Sequence, residues 1–521
     1  MNTVDFNRYK WREDEKVPGR FKREPGGGEL FEDVLNLTKH GEQNLFVGVY
    51  AALAIALDTG DLLAAVLNSW ISLRWEIPTV AAQTGHEPSG KPLPTSFITY
   101  DVARSLDEVK KWANTTVILR EDKKNLDDLR YEIGQDPIPA ADLVPQTYLY
   151  LVPYTPTTFG ILFHTAHTTF DGAGSKIVLT KLFTYLYNYL SQPSYQAEQE
   201  KLMKWGTEAQ NLLPMVTEIL RKHEPAVLDA QGNVIMPEVP EEPREGEKYF
   251  ETLNEVMTGL ATGGPRAYPF KSLIQPPYNP QTTKPKTRRV EYRLSVSESV
   301  RIKAAGAVGG SITQKLTVNH LVHGALSLLP ILDNPPPKDT DAVIFYYGLV
   351  DGRQRLAKEY RSPLGYPGYC LGMSSIQIPV SLYNKLPHDD KKTMVLEYAK
   401  VVQKEYKRQT EFPSLLAIEP QQVDLMLSVP PPPPWCGPWY AADGRGNVYL
   451  HPKYPATGPT VIEITDFFLG LNKCDPGPFF RAYEWNGQLI LSADFNELAV
   501  EPKVVQGWME KWADLLRSLM V

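Results

Sequence analysis

The segment from Gly160 to Gly172, Gly-Ile-Leu-Phe-His-Thr-Ala-His-Thr-Thr-Phe-Asp-Gly, constrains the fold more than any other. Its apolar start reads as a buried strand. The strand ends in a histidine, three spacers and Asp-Gly. A helical pattern follows at once, with Leu179, Leu182, Phe183, Leu186 and Leu190 on one stripe. His167 is therefore placed in a turn between a strand end and a helix start, facing a cleft yet held rigidly. A neutral imidazole titrates near the operating pH, so it suits a general base acting on an alcohol or amine. Asp171 fits a helix cap or an ion-pair anchor that shapes the turn. Gly172 is expected to permit a tight backbone path that a Cβ would obstruct.

With 521 residues, 42% hydrophobic and 22% charged, the chain is long enough for two or more domains. Its net charge of −7 and the lack of basic runs argue against nucleic-acid binding. Three cysteines, Cys370, Cys436 and Cys474, give neither a disulfide framework nor a zinc spacing. The polar stretch Met1 to Arg23 has no signal-peptide pattern, and no apolar run nears the ~20 residues needed to span a bilayer. A cytoplasmic, reducing location without membrane association is the expectation. Asn36-Leu37-Thr38 and Asn114-Thr115-Thr116 match the glycosylation pattern by chance in that reading.

Periodicity and breakers divide the chain into three parts. Residues 1–222 form an N-terminal domain carrying the His motif. It opens on a loose arm that closes at Pro25-Gly26-Gly27-Gly28. Helices are expected over 31–37 and 61–73, a hairpin over 147–152 and 159–164, and a long helical stretch to about Lys222. Residues 223–287 are rich in Pro and Glu, with Pro276-Pro277 and Lys284-Pro285-Lys286, and read as a partly ordered crossover linker. Residues 288–521 form a C-terminal domain. Its expected strands are 289–294, 342–350, 373–380 and 488–494. Its expected helices are 295–308, capped by Gly309-Gly310, then one from Ser311-Ile312-Thr313 to Leu329, and a last one primed by Pro502. Pro430 to Pro434 reads as a polyproline surface loop.

No metal site is expected: the pair His164 and His167 lacks the helical spacing of zinc ligands, and no Cys ligand is near. His164 reads as a buried histidine with a backbone partner. Of His320 and His323, on an apolar helix, one is expected to pack and one to lie at the surface. No Gly-x-Ser-x-Gly elbow, dinucleotide fingerprint or phosphate loop occurs. Asp351-Gly352-Arg353-Gln354-Arg355 follows a buried strand, and one of its arginines is expected to pair with Asp171 and brace the loop carrying His167. Asp466 to Gly470 reads as an exit from another strand.

Several segments resemble, in order, the CoA-dependent acyltransferase superfamily, which includes the plant BAHD acyltransferases, peptide-synthetase condensation domains and fungal trichothecene O-acetyltransferases. His167-x-x-x-Asp171-Gly172 resembles the active-site motif. Val350 to Leu356 resembles the Asp-x-Arg-x-Arg turn, and Tyr366-Pro367-Gly368-Tyr369-Cys370 stands where Tyr-Phe-Gly-Asn is frequent. Thr465 to Gly470 is similar to Asp-Phe-Gly-Trp-Gly, with Phe468 at the first Gly and Leu469 at the Trp. Ala166 replaces the first of the two histidines usual in condensation domains. The resemblance spans nearly the whole chain and is strongest to fungal enzymes of the trichothecene 15-O-acetyltransferase type.

The resemblance implies an α/β fold of two pseudo-symmetric chloramphenicol-acetyltransferase-like domains around a central channel. It implies an O-acyltransferase with acyl-CoA, foremost acetyl-CoA, as co-substrate, no bound cofactor, and a small secondary-metabolite alcohol as acceptor. His167, Asp171 and Gly172 are then the catalytic motif, Arg353 and Arg355 support the site, and Gly368, Asp466 and Gly470 lie along the channel. His167 acts as general base in a ternary complex without an acyl-enzyme, since no Ser or Cys nucleophile adjoins it. A monomer is expected. Two other readings stay open: a condensation-type enzyme using a carrier-protein thioester, and a repurposed relative that binds a hydrophobic small molecule without acylation.

Overall fold

A computed structural model gives the architecture. It describes all residues except 1–2, 40, 91, 141–143, 275–282, 285, 309–314, 363, 431–433 and 521. Pro276-Pro277, Pro285, Gly309-Gly310, the helix start at Ser311-Ile312-Thr313 and most of the Pro430–Pro434 run thus lie outside the described residues.

The N-terminal half is built on strands β1 (Leu45–Leu53), β2 (Thr147–Thr155) and β3 (Thr158–Thr165), with helices α1 (Gly28–Thr38), α2 (Thr59–Glu76) and α3 (Gly172–Ser191). β2 and β3 form the expected hairpin, pairing Tyr148 with His164 and Leu151 with Ile161. β1, which carries no polar alternation and is buried along most of its length, lies on the other side of β3. The N-terminal arm is not loose. Residues 20–23 pair with 98–101 in a separate four-stranded sheet, and Arg23 forms a buried ion pair with Glu29 of α1 at 2.6 Å. The expected long helix after the His motif stops at Ser191. Pro193 interrupts it, a second helix covers Tyr195–Leu202, and short turns follow up to Pro214 and beyond.

The C-terminal half contributes helices α4 (Glu247–Gly263), α5 (Val318–Ser327), α6 (Lys391–Glu411), α7 (Glu419–Leu427) and α8 (Pro502–Arg517). Its strands are β4 (Thr287–Arg293), β5 (Val343–Asp351), β6 (Leu371–Pro379), β7 (Trp439–Arg445), β8 (Ile462–Leu471), β9 (Phe479–Trp485) and β10 (Gln488–Asn496). β4, β10, β9 and β7 make one sheet in that order, while β5 and β6 form a two-stranded sheet. α4 lies inside the segment expected to be a crossover. It follows an exposed two-strand hairpin at residues 227–236 and packs on β6.

β8 does not stay in its own half. It leaves the C-terminal sheet and pairs along β1, so the N-terminal sheet runs β8-β1-β3-β2 at its centre. Asp466, expected at a strand exit, sits mid-strand where the register shifts between Ile464 and Asp466. Phe468 falls opposite Gly48, and this pairing has a steric reason. A Cβ at Gly48 would lie 2.2 Å from the Phe468 ring. The large ring therefore sits over the one β1 position without a side chain, and this size match fixes the register. Two main cores result, one under the N-terminal sheet around Trp70, Phe163 and Phe183, the other around Trp508, Trp512 and Tyr398. Among the described residues no helix is long and apolar enough to cross a membrane.

Gly48→Ala is expected to force a methyl into the Phe468 ring and to destabilise the fold by roughly 1–3 kcal/mol, as overpacking does. Adding Phe468→Leu should recover part of the loss. Thermal unfolding of both variants measures it, and a Gly48→Ala protein that melts like the parent would rule out this register.

Candidate active site

His167 stands just past the end of β3. The ladder is prolonged by one bond, from the Ala166 N–H to the Gln146 carbonyl at 2.9 Å, and the chain then turns over residues 167–170 into α3. The imidazole is 8% exposed. Its Nδ1 is buried and bonds no other side chain, and the ring hydrogen-bonds only the backbone of His167 itself, which leaves Nε2 without a partner among the described residues. Tyr369 meets the ring edge-to-face, with centroids 5.7 Å apart. Burial pushes the His167 pKa down to about 4, against the pull of the Asp171 charge. The ring is thus neutral at neutral pH.

Asp171 is fully buried and does two jobs at once. Its Oδ1 caps α3 by accepting the Gly174 N–H at 2.6 Å. Its two oxygens also receive Arg353, Nη2 on Oδ1 at 2.8 Å and Nη1 on Oδ2 at 3.0 Å, and Oδ2 takes the Cys370 N–H at 2.9 Å. Arg353 is 1% exposed and places every donor. Nε bonds the Tyr366 carbonyl, Nη2 also bonds the Gly368 carbonyl, and Nη1 also bonds Asp351. Burial works against the guanidinium charge, and Asp171 and Asp351 overcome it, so its pKa is raised. Tyr449 completes the chain by donating its hydroxyl to Asp351 at 2.6 Å.

The arrangement corrects three residue-level expectations. Arg355 does not join the site. It bonds Glu242 and the carbonyls of Phe412 and Thr410, tying the connecting segment to the C-terminal half. The tight glycine is Gly174, not Gly172. A Cβ at Gly172 would meet nothing closer than 3.6 Å, whereas one at Gly174 would lie 1.9 Å from the Pro367 carbonyl oxygen. His164 is buried but lacks the expected backbone partner: both ring nitrogens are unbonded, and the ring stacks on Phe46 at 4.1 Å. Burial alone lowers its pKa to about 3, so it stays an uncharged aromatic.

The channel residues separate. Gly368 is held against the site through Arg353. Asp466 is engaged by Arg293 at 2.8 Å, and Gly470 pairs across the sheet with Phe46. A cavity of about 240 Å³ opens beside β5 and β7, bounded by Asn319, His323, Gln409 and Tyr440 and reaching Asp351. Inside this half, His323 Nε2 and Gln409 Oε1 are buried without a partner.

Residues 8–231 match the family model described as 15-O-acetyltransferase Tri3. In sequence the chain is similar to the Tri3 acetyltransferases. It is 24% identical to the trichothecene 15-O-acetyltransferase TRI3 of Fusarium sporotrichioides, over 81% of this chain and 79% of that one. It is 22% identical to the trichothecene O-acetyltransferase TRI3 of Trichoderma arundinaceum, over 94% and 93%. The solved structure of the Fusarium enzyme superposes over the full length of both chains with a TM-score of 0.81 at 20% identity. A starter condensation domain of rhizomide synthetase, solved with C8-CoA, matches at 0.56 and 10% identity, covering 96% of this chain and 95% of that one. The fold is the two-domain chloramphenicol-acetyltransferase-like α/β architecture.

Removing Arg353 leaves Asp171 buried and unpaired, which costs roughly 3–5 kcal/mol. Arg353→Lys, a single ammonium, does not reproduce the five bonds and should also melt well below the parent. Gly174→Ala should fail to fold or lose most of its stability, while Gly172→Ala melts like the parent. Equal behaviour of the two glycine variants would show that the Pro367 contact is not decisive.

Proposed function

We propose that the chain is an O-acyltransferase that moves an acyl group, acetyl foremost, from acyl-CoA to a hydroxyl of a small secondary metabolite of the trichothecene kind. The observation that carries this reading is the neutral, buried His167, held two residues beyond β3 beside the Asp171–Arg353 lock. The naming of both relatives as acetyltransferases supports it.

In this mechanism Nε2 of His167 removes the acceptor's hydroxyl proton as the oxygen attacks the thioester carbonyl. The tetrahedral intermediate collapses with cleavage of the C–S bond, and the imidazolium returns the proton to the departing sulfur. No acyl-enzyme is formed. The nearest cysteine, Cys370, supports that choice, because burial pushes its thiol well above the ordinary range and leaves it without thiolate character. The two lobes are residues 1–222 and 288–521, joined by 223–287, with β8 of the second lobe lent to the sheet of the first. We assign the cavity ending at Asp351 to the amide-bearing arm of the donor, since Gln409 and His323 offer unpaired polar atoms there.

The test is thiol release from acetyl-CoA with a panel of terpenoid alcohols, for the parent and His167→Ala. General-base assistance is worth ~10²–10⁴ in rate, so the variant should lose about that much while melting normally. Undiminished turnover in His167→Ala would refute the role. Because the base works only when neutral and its pKa lies near 4, the parent's rate should stay level from pH 8 to about 6. It should fall only as the pH approaches 4, and a midpoint at 6.5 would contradict the burial argument. Release from a carrier-bound thioester but not from free acyl-CoA would move the assignment to a condensation-type enzyme.

A further inference from the structure

β7 carries one residue that its partner strand does not match. Ala442 pairs with Ala482 and Gly444 with Tyr483, so Asp443 is the extra residue of a bulge, and Gly444 beside it takes a φ of 64°. A bulge re-aims a side chain out of the strand's alternation. Here the side chain reaches the start of α3: a Cβ on Gly172 would stand 3.6 Å from Asp443 Oδ1.

Two buried cations hold this residue. Arg481 of β9 donates Nη1 to Oδ2 at 3.2 Å. Lys176 is 1% exposed and lies one helical turn beyond Gly172 on the same face of α3. Its Nζ donates to the Asp443 main-chain carbonyl at 3.3 Å. Burial pulls the Lys176 pKa down and Arg481 adds to that, against the attraction of Asp443, Asp351 and Asp171. A buried cation is retained only where something answers it, and Asp443 answers both with Oδ2 and its carbonyl. Oδ1 is left, and it takes no hydrogen bond from any described residue.

Oδ1 is also reachable. The Asp443 side chain keeps 10% exposure, and Gly172 and Ala173 across from it are partly exposed, although the helix turn after them is buried. The crevice adjoins the base, because Arg481 is close enough for its charge to act on His167. The cavity assigned to the donor lies within the C-terminal half and meets this crevice at Ala442 and Asp351. Oδ1 faces Gly172 of the N-terminal half instead, on the side left for the acceptor.

We propose that Asp443 is a specificity-determining residue for the acceptor: its Oδ1 receives a second hydroxyl, not the one acylated, so the preferred acceptor is a diol or polyol. This deepens the acyltransferase reading and rests on it. A carboxylate with one oxygen fixed by a guanidinium is preorganised to accept a neutral O–H, and such a charge-assisted bond is stronger than one between neutral groups. Lys176 and Arg481 disfavour a cationic ligand there, and Asp443 and Asp351 disfavour an anionic one. The second hydroxyl keeps its proton. Its bond orients the reacting hydroxyl before His167. Gly172 matters here for room: a side chain on it would fill the space beside Oδ1.

The experiment uses a trichothecene diol and its two mono-ol analogues, with acetyl-CoA, for the parent, Asp443→Ala and Gly172→Ala. The parent should prefer the diol roughly 10–100-fold in kcat/KM, the worth of one hydrogen bond to a charged group. Asp443→Ala should erase that preference, mainly through KM for the diol. Gly172→Ala, whose methyl stands against Oδ1, should reduce it while melting like the parent. A parent without the preference, or a preference that survives Asp443→Ala, overturns the proposal. Equal losses for all three alcohols would assign Asp443 to support of the fold and overturn it as well. If those equal losses disappear with S-acetyl-N-acetylcysteamine, a donor without a hydroxyl, the carboxylate serves the donor and the proposal again fails. If Asp443→Ala does not fold, the parental preference and Gly172→Ala still decide. Calorimetric binding of the same alcohols without donor reads the preference apart from turnover. A parent that binds the diol better through Asp443 yet transfers no acyl group refutes the reaction class alone. A parent that transfers acyl groups without the preference refutes the role of Asp443 alone.

Discussion

The ion pair between Asp171 and Arg353 is the constraint on which the two halves depend. It joins the first turn of α3, in the N-terminal half, to the turn after β5, in the C-terminal half, with both partners out of water. Isolated buried pairs are poor sources of stability, because desolvation can exceed the Coulomb gain. This one is not isolated. Asp171 satisfies two main-chain N–H groups besides the guanidinium, and Arg353 fills all five donors, two of them with main-chain carbonyls of the 366–368 turn. The pair thus works as a template on which two loops and one helix end take shape. His167, between β3 and the capped helix, inherits its position from that template.

The second tie between the halves is β8, and its chemistry is different. A strand from the C-terminal half joined to β1 shares a ladder and a hydrophobic face, so it resists shear along its whole length. Beside it, Lys473 and Glu42 form another fully buried pair. Apolar strand exchange fixes the halves in register, and the charged pairs fix the ends of that register near the site.

The strand–turn–helix around His167 was legible because its signals are local: an apolar run, a cap residue and a helical stripe. The hairpin and the closing helix were legible for the same reason. β1 was not, because a strand buried on both faces shows no alternation of apolar and polar residues. Gly172 and Gly174 look alike in sequence, and only the approach of Pro367, nearly two hundred residues away, tells them apart. Arg353 and Arg355 are likewise equivalent by spacing. The short helical turn after Asp351 sends one to Asp171 and the other to Glu242. α1 was found as a helix, yet its inward face is marked by Glu and Asp, which a hydrophobic pattern reads as outward.

That inverted face follows from the same physics as the ion pair. A charged residue is retained inside a protein only where something answers it. Along α1 the answers are Arg23, His86 and Asn44, each supplied by the packed N-terminal arm, its sheet or the start of β1. The arm is therefore held by its polar contacts as much as by its strands, and it covers the site from a side that the His motif does not announce. Gly28 marks the contact: a Cβ there would overlap the Tyr369 ring, the ring that meets His167. The active-site wall is thus assembled from three distant stretches. The arm brings Gly28 and α1, the His motif brings the base, and the 366–370 turn brings Tyr369, with Arg353 placing the last two against each other.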